Sequence, residues 1–300
     1  MKDRQALLAA GALVINAFVW GVSWWPFRAL QGYGLHPLWA TALIYGAATL
    51  SVMAWRPQAW RGLLAYPPLL LLAAAAGLTN VGFNWAVTVG DVVRVVLLFY
   101  LMPAWSVLIA WAMLDEKPSA GSLFRLLLAL AGVVIVLKSP GSPWPVPQSA
   151  ADWLALAGGL SFAFTNVLLR KLNSTPGEAR MLAMFGGGAL MASAAALAGM
   201  AWKIVPAPAF QMAGLAGLGI AAALCLAFLA SNWALQYGAA RLAASTTAIV
   251  MLTEILFASA SAALLGAAAF STRTLLGGGL IVLAALLAAL APEPASPAAK

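Results

Sequence analysis

Long apolar runs constrain this chain more than any other feature of its sequence. Hydrophobic residues make up 64% of the chain and charged residues 8%, whereas a soluble domain carries about 25% charged residues. Runs of about 20 apolar residues have the length of a membrane-spanning helix. Because the charged residues are too few to cover the outside of a soluble protein, we expect lipid to surround most of the surface.

Pro, Gly and charged residues divide the chain into ten apolar segments. Within most of them apolar residues occur on all sides rather than at alternate positions, which predicts helices rather than membrane strands. The predicted spans are 6–27, 37–55, 65–89, 92–114, 121–138, 151–170, 179–202, 211–237, 240–265 and 274–291. The expected fold is therefore an all-α polytopic membrane protein with ten transmembrane helices.

The distribution of Lys and Arg predicts the orientation in the membrane. If the N-terminus lies in the cytoplasm, eleven basic residues fall on the inner side and five on the outer side, which agrees with the positive-inside rule. Both termini are therefore expected to be cytoplasmic. The net charge of +8 is spread over the ends of the apolar runs and forms no compact patch, so no nucleic-acid partner is expected.

A short phrase occurs twice in the sequence, half a chain apart. The stretches FNWAVTVG (83–90) and SNWALQYG (231–238) share Asn, Trp, Ala and Gly, and each identical pair is separated by 148 positions. One copy ends span three and the other ends span eight, which predicts two units of five helices. The predicted parts are a first repeat (1–138), a Pro-rich external linker (139–150), a second repeat (151–291) and a disordered cytoplasmic tail (292–300).

The odd number of helices in each unit decides how the two units are related. If span one runs from inside to outside, span six must run in the opposite direction, so the repeats are inverted in the membrane. Inverted repeats are typical of secondary transporters, in which the substrate binds near the bilayer midplane between the repeats. We expect spans one, three, four, six, eight and nine to enclose the site, with spans five and ten at the periphery.

Several motifs resemble the EamA-type members of the drug/metabolite transporter superfamily. Trp20 and Gly21 lie in span one, and the stretch FYLMPAW…LDEKPS (Phe99 to Ser119) resembles an aromatic-x-x-Pro pattern followed by an acidic end of span four. Within the superfamily the chain is most similar to the aromatic amino-acid exporters (YddG-like). The resemblance implies a bacterial inner-membrane exporter of aromatic or other hydrophobic amino acids. Span nine departs from the pattern, with MLTEILF (251–257) where the family often has Pro.

Amide and aromatic side chains inside the spans are the candidates for substrate contact. Asn80, Asn84 and Thr88 lie four apart on one face of span three. Such polar stripes either line a cavity or join helices by hydrogen bonds, and aromatic rings either line a pocket for a flat apolar solute or pack against lipid and core. The candidate substrate-binding residues are Trp20, Trp24, Asn80, Asn84, Tyr100, Met102, Phe162, Asn166, Phe228 and Asn232.

Charged and bend-forming residues inside the spans are the candidates for coupling or gating. Glu254 falls near the centre of span nine, with Thr247 on the same face, and it serves either as a proton or ammonium site or as a carboxyl group that ties helices together. Pro103 can kink span four. Asp91 and Arg94 open span four and form either a local ion pair or a gate at the outer mouth.

The sequence offers no catalytic, metal or cofactor site. It contains one Cys (Cys225) and one His (His36), which excludes an internal disulfide and a His cluster for zinc. No nucleotide-binding loop is present. The expected function is alternating-access export of small amphipathic metabolites by a functional monomer. The alternatives are export of cationic drugs or of sugar or nucleotide metabolites, a membrane enzyme for lipid-linked substrates, and a passive channel.

Overall fold

The described part of the chain is entirely helical. The computed structural model describes residues 2–90, 92–138, 141, 144, 147–266 and 272–291, and within these ranges it contains no strand. Ten helical segments are long and apolar enough to cross a membrane, which confirms the prediction of ten spans. Half of the predicted linker (139–150) and all of the predicted tail (292–300) lie outside the described residues.

Eight of the ten spans are single helices, and spans four and nine each consist of two. Span four is α5 followed by α6, span nine is α11 followed by α12, and the short helix α3 lies between spans two and three. In chain order the helices are α1 (Lys2–Gly32), α2 (Pro37–Trp55), α3 (Ala59–Ala65), α4 (Pro68–Val89), α5 (Val92–Phe99), α6 (Met102–Leu114), α7 (Ala120–Leu137), α8 (Ala150–Lys171), α9 (Gly177–Ala201), α10 (Phe210–Ala239), α11 (Ala244–Met251), α12 (Glu254–Leu264) and α13 (Thr272–Ala289).

The local sequence accounts for several helix ends. The hydroxyl of Ser149 accepts a hydrogen bond from the backbone N–H of Asp152, whose carboxylate accepts one from the Ser149 backbone, so α8 begins with a complete capping box. At the end of α6, Asp115 adopts a left-handed conformation with φ 54°, which stops the helix. These ends agree with the predicted segments to within a few residues.

The sequence predicted a kink at Pro103 in span four, but it did not predict that spans four and nine would each divide into two helices. Helix α5 ends at Phe99, and α6 begins at Met102 with Pro103 in its first turn, where the missing N–H of proline removes no helical hydrogen bond. Pro103 therefore starts a helix instead of kinking a continuous one. Span nine is interrupted at Leu252 and Thr253 without a proline, and Glu254 is the first residue of α12.

Helices of the first half pack mainly against helices of the second half. Helix α1 packs on α10 and α12, α4 packs on α8 and α9, α2 packs on α9, α6 packs on α8 and α11, and α7 packs on α13. The two halves are therefore interleaved, and any cavity at their interface is lined from both.

Two glycines allow the close crossing of α7 and α13. A Cβ atom added to Gly132 would lie 2.6 Å from the carbonyl oxygen of Gly277, and one added to Gly277 would lie 2.6 Å from the carbonyl oxygen of Gly132. No real Cβ tolerates that distance to a backbone atom, so the helices approach each other only because both residues lack a side chain.

Substitution of Gly277 with alanine is expected to lower the thermal unfolding midpoint of the purified protein in detergent. The added methyl group forces α7 and α13 apart, and overpacking of this kind costs about 1–3 kcal/mol. The matched control is Gly279→Ala on the same helix, where a new Cβ meets nothing within 4 Å, so only the gain in helix propensity remains. Equal midpoints for the two variants would contradict this account of the crossing.

Candidate functional site

A small cavity lies between helices of the two halves. Its volume is ≈ 50 Å³, which accommodates a few water molecules, whereas drug-sized ligands occupy pockets of about 300–1,000 Å³. Helices α1, α2, α4, α8, α9 and α10 all contribute to it. It is lined by Asn16, Trp20, Tyr45, Ala76, Thr79, Asn80, Phe162, Thr165, Met184, Phe185, Phe228, Ser231, Asn232 and Leu235.

The cavity lining includes a cluster of aromatic rings from four helices. The Trp20 indole stacks on the Phe228 ring with centroids 4.8 Å apart. Tyr45 lies 5.9 Å from Phe228 and 5.2 Å from Phe185, measured between ring centroids. This cluster offers flat apolar surfaces of the kind that bind an aromatic or aliphatic group.

The cavity lining also includes amide and hydroxyl groups. The Asn16 Nδ2 group donates to the backbone oxygen of Ser231 at 2.9 Å and to its hydroxyl oxygen at 2.6 Å. Asn16 Oδ1 is buried and has no hydrogen-bond partner among the described residues. Asn80 Nδ2 donates to the carbonyl oxygen of Ala76 at 2.8 Å, and the Asn80 side chain also bonds the Tyr45 hydroxyl.

A chain of hydrogen bonds connects one of these lining amides, that of Asn232, with a buried arginine. The Asn232 Nδ2 group contacts the Met184 sulfur at 3.4 Å. Asn232 Oδ1 accepts from Gln236 Nε2 at 2.7 Å, and Gln236 Oε1 accepts from Arg180 Nε at 3.0 Å. Arg180 lies in the first turn of α9, so the chain runs from one end of the bundle to the cavity.

Half of the predicted substrate-binding residues line this cavity. Trp20, Asn80, Phe162, Phe228 and Asn232 belong to its lining, and the structure thereby brings together residues from spans one, three, six and eight. The other half lies elsewhere: Trp24, Asn84, Tyr100, Met102 and Asn166 do not line it.

Two of these outlying residues join neighbouring helices. The Trp24 Nε1 group donates to the hydroxyl oxygen of Ser261 at 2.9 Å, which links α1 to α12. The Asn84 Nδ2 group donates to the hydroxyl oxygen of Thr41 at 2.7 Å, which links α4 to α2. Both use their polar atoms to hold helices together, which is one of the two roles that the sequence allowed for Asn84 and a role that it did not suggest for Trp24.

The remaining outlying residues are buried in the core. Met102 is fully buried, and Tyr100 packs edge-on against Phe99 with ring centroids 5.8 Å apart. Asn166 is 0% exposed, and neither polar atom of its amide has a hydrogen-bond partner within the described ranges. It follows Thr165, a residue of the cavity lining, but does not itself line the cavity, so its amide is a buried polar group of α8.

Two of the candidate coupling residues, Glu254 and Pro103, lie at the two interruptions. The carboxyl group of Glu254, at the start of α12, bonds the hydroxyl of Tyr100 at the end of α5, which joins the break in span nine to the break in span four. Thr247 is fully buried, and its hydroxyl is without a partner in the described part of the chain. Asp91 and the side chain of Arg94 lie outside the described residues.

Spans two and seven contribute more to the cavity lining than the sequence suggested. Tyr45 of α2 and Met184 and Phe185 of α9 line the cavity, whereas residues of α5, α6, α11 and α12 do not. Asn16 was also missed. It is a single amide in an apolar stretch of span one, and that isolation is the one signal that could have identified it.

Comparisons with known proteins support the transporter expectation. Residues 7–138, the first five spans, match the profile of the EamA-like transporter family. One crystal structure superposes with a TM-score of 0.75 at 18% sequence identity, covering 93% of this chain and 96% of the other. At that identity the likeness concerns the fold alone. Among curated proteins none matches the sequence.

Proposed function

We propose that the protein is a secondary transporter that moves small amphipathic solutes through the central cavity by alternating access. The observation that carries this proposal is a cavity at the interface of the two halves that is lined by both aromatic rings and amide groups. The match of the first five spans to a transporter family supports it. Aromatic or other hydrophobic amino acids, exported from the cell, are the proposed substrates.

The proposed architecture is a pair of inverted five-helix repeats, 1–138 and 151–291, joined by the linker 139–150. Under this proposal each span corresponds to the span five positions later, so α1 corresponds to α8, α4 to α10, and α6 to α12. The packing of α1 on α10 then corresponds to that of α8 on α4, and the packing of α1 on α12 corresponds to that of α8 on α6. All four contacts occur. Spans four and nine also correspond to each other, and both are interrupted. This regularity supports inverted repeats as the frame for alternating access.

The proposed setting is the bacterial inner membrane, with both termini in the cytoplasm. The excess of Lys and Arg on that side supports this orientation. Because one chain contributes both halves of the cavity lining, we propose a functional monomer. The small volume of the cavity means that spans must separate before an amino acid can enter it.

Glu254 is the proposed coupling residue, and Thr247, Pro103, Asp91 and Arg94 are proposed to act in gating. The carboxyl group of Glu254 bonds Tyr100 across the two interrupted spans, so a change in its protonation alters the contact between segments that can move separately. This arrangement supports proton-coupled export. Export that follows the gradient of the solute alone is the other outcome of the test below.

Substitution of Glu254 with glutamine is expected to abolish the response of transport to an imposed pH gradient. The glutamine oxygen still accepts a hydrogen bond from Tyr100, so the fold is retained, but the amide cannot bind and release a proton. The measurement is solute accumulation in proteoliposomes with and without the gradient. The control is Asp115→Asn, which removes an exposed carboxyl group at the end of α6. A variant that still responds like the wild type would remove Glu254 from the coupling.

Counterflow tests the proposed function itself. Purified protein is reconstituted into liposomes that contain unlabelled tryptophan, and labelled tryptophan is added outside. A carrier that alternates between two open states accumulates the label transiently, because the trapped unlabelled solute competes with the label for exit and returns the site to the outside in its loaded form. A passive channel equilibrates the label without accumulation. Absence of counterflow with every apolar amino acid, in protein that remains folded, would contradict the proposed substrate class.

A further inference from the structure

We infer that Arg180 and Gln236 fix the hydrogen-bonding polarity of the cavity by holding Asn232 with its amide N–H toward the solute. The cavity would then bind an oxygen acceptor of the solute at this point, such as a carboxylate or a carbonyl group. This inference rests on the proposed function, because it assigns the solute to the central cavity. Arg180 and Gln236 are positioning residues, and Asn232 is the group that contacts the solute.

The direction of the hydrogen bonds from Arg180 through Gln236 to Asn232 follows from the chemistry of Arg180. A guanidinium group has donors and no acceptor, so the atom of Gln236 that contacts Arg180 Nε at 3.0 Å must be the oxygen. The Gln236 side chain therefore turns its NH₂ group the other way, where it donates to Asn232 Oδ1 at 2.7 Å. With its oxygen engaged in this way, Asn232 leaves its own NH₂ group as the last donor of the chain.

The arginine itself is held in one place. Its Nη1 group donates to the carbonyl oxygens of Leu172, Asn173 and Thr175 at 2.8, 2.9 and 3.0 Å. These carbonyls belong to the turn that follows α8. A guanidinium group anchored by backbone atoms cannot rotate away from Gln236 without losing three hydrogen bonds. The orientation of both amide groups is therefore imposed from outside the cavity.

The partner that Asn232 Nδ2 now has is a weak one. It contacts the Met184 sulfur at 3.4 Å, and a thioether is a poor acceptor compared with a carboxylate. Asn232 and Met184 both line the cavity. A solute oxygen that enters can therefore replace the sulfur and gain a hydrogen bond, and the guanidinium charge at the far end of the chain polarises each bond toward that acceptor.

The inference predicts a preference between two ligands that share one aromatic group. Indole-3-propionate has the indole and a carboxylate but no amine, and tryptamine has the indole and an ammonium group but no carboxylate. The wild-type protein is expected to bind the carboxylate more tightly than the amine. The measurement is equilibrium binding of each radiolabelled compound to the purified protein, so it yields a result whether or not counterflow occurs.

The decisive variant is Gln236→Glu. The introduced carboxylate still accepts from Arg180, so the anchor is kept, but it can only accept a hydrogen bond from Asn232. The Asn232 amide must turn over and present its oxygen to the cavity. We expect binding of indole-3-propionate to weaken by about tenfold or more, the effect of losing a hydrogen bond to a charged group, while tryptamine binding is retained or improved, so the preference is reversed.

Two further variants separate this effect from charge and from misfolding. Asn232→Leu removes the donor without adding a charge, and we expect it to lose the carboxylate preference without any gain for tryptamine. Gln31→Glu makes the same chemical change at an exposed position of α1 and should leave both affinities unchanged. An unchanged ratio of the two affinities in Gln236→Glu would overturn the inference, and so would a wild-type protein that prefers tryptamine or binds neither compound. Absence of counterflow together with the predicted ratio would overturn only the proposed function.

Discussion

Replacement of Phe228 with alanine is expected to lower the free energy of unfolding by about 3–5 kcal/mol, the usual cost of removing a buried phenylalanine ring. Phe228 is 2% exposed, and its ring contacts Trp20, Phe27 and Tyr45. These neighbours belong to α1 and α2, so the ring fills the space between three helices. The void that it leaves adds to the existing cavity, because the surrounding rings relax only in part.

The control for this prediction lies two residues earlier on the same helix. Leu226 is 69% exposed and faces outward from α10, so Leu226→Ala removes little packing within the protein and should change stability by less than about 0.5 kcal/mol. Thermal and denaturant unfolding in the same detergent compare the two variants. A similar loss of stability in both would show that the aromatic cluster does not hold α10 against α1 and α2.

Replacement of Arg180 with leucine is expected to destabilise the protein by at least about 3 kcal/mol. Arg180 is buried, and its guanidinium donates to three backbone carbonyls and to the Gln236 side chain. Buried acceptors left without partners cost about 1–3 kcal/mol each. The turn between α8 and α9 loses its main hydrogen-bond donor in this variant, so these two helices are expected to separate first.

Arg241 provides the matched control for the loss of one positive charge. It is exposed, and its guanidinium donates to the Tyr237 carbonyl of the preceding helical turn and lies over the Tyr237 ring, 3.8 Å from the centroid. Because both contacts are at the surface, Arg241→Leu should change the unfolding midpoint much less than Arg180→Leu. If both arginine variants lose the same stability, the effect comes from charge and not from the buried hydrogen bonds of Arg180. The expected instability is also the reason why Gln236, and not Arg180, is the position to substitute when the polarity of the cavity is tested.

The sequence predicted the number and position of the spans because hydrophobicity along a chain is a local property. A stretch of about 20 apolar residues forms a helix in lipid whatever its neighbours are, since its backbone must satisfy its own hydrogen bonds. The interruptions are harder to predict. Pro103 marks one of them, but Leu252 and Thr253 interrupt span nine with residues that ordinary helices tolerate.

The cavity could be predicted only in part because its lining depends on which helices meet. Trp20, Phe228 and Asn232 stood out as aromatic or amide groups within spans. Tyr45 and Phe185 belong to spans two and seven, which the sequence did not place at the centre. Their position follows from the packing of α2 on α9, a contact between residues that lie far apart in the chain and share no local pattern.

The repeated Asn shows that identical residues at matching positions of two repeats need not have the same role. Asn84 and Asn232 occupy matching positions of the two repeated phrases, but Asn84 bonds Thr41 and joins two helices. Asn232 instead meets Gln236 and Met184 and lines the cavity. The difference arises from the neighbouring helix in each case, so sequence symmetry identified the positions and only the packing distinguished their functions.

Thiol accessibility during transport tests the central claim, that solute passes through this cavity. Cys225 is the one cysteine of the chain, so Thr79→Cys in a Cys225→Ala background places a single reactive thiol in the lining. We expect a membrane-impermeant methanethiosulfonate reagent to stop counterflow, and the transported amino acid to slow this inactivation. Full modification with unchanged counterflow, or no modification from either side during turnover, would contradict the claim.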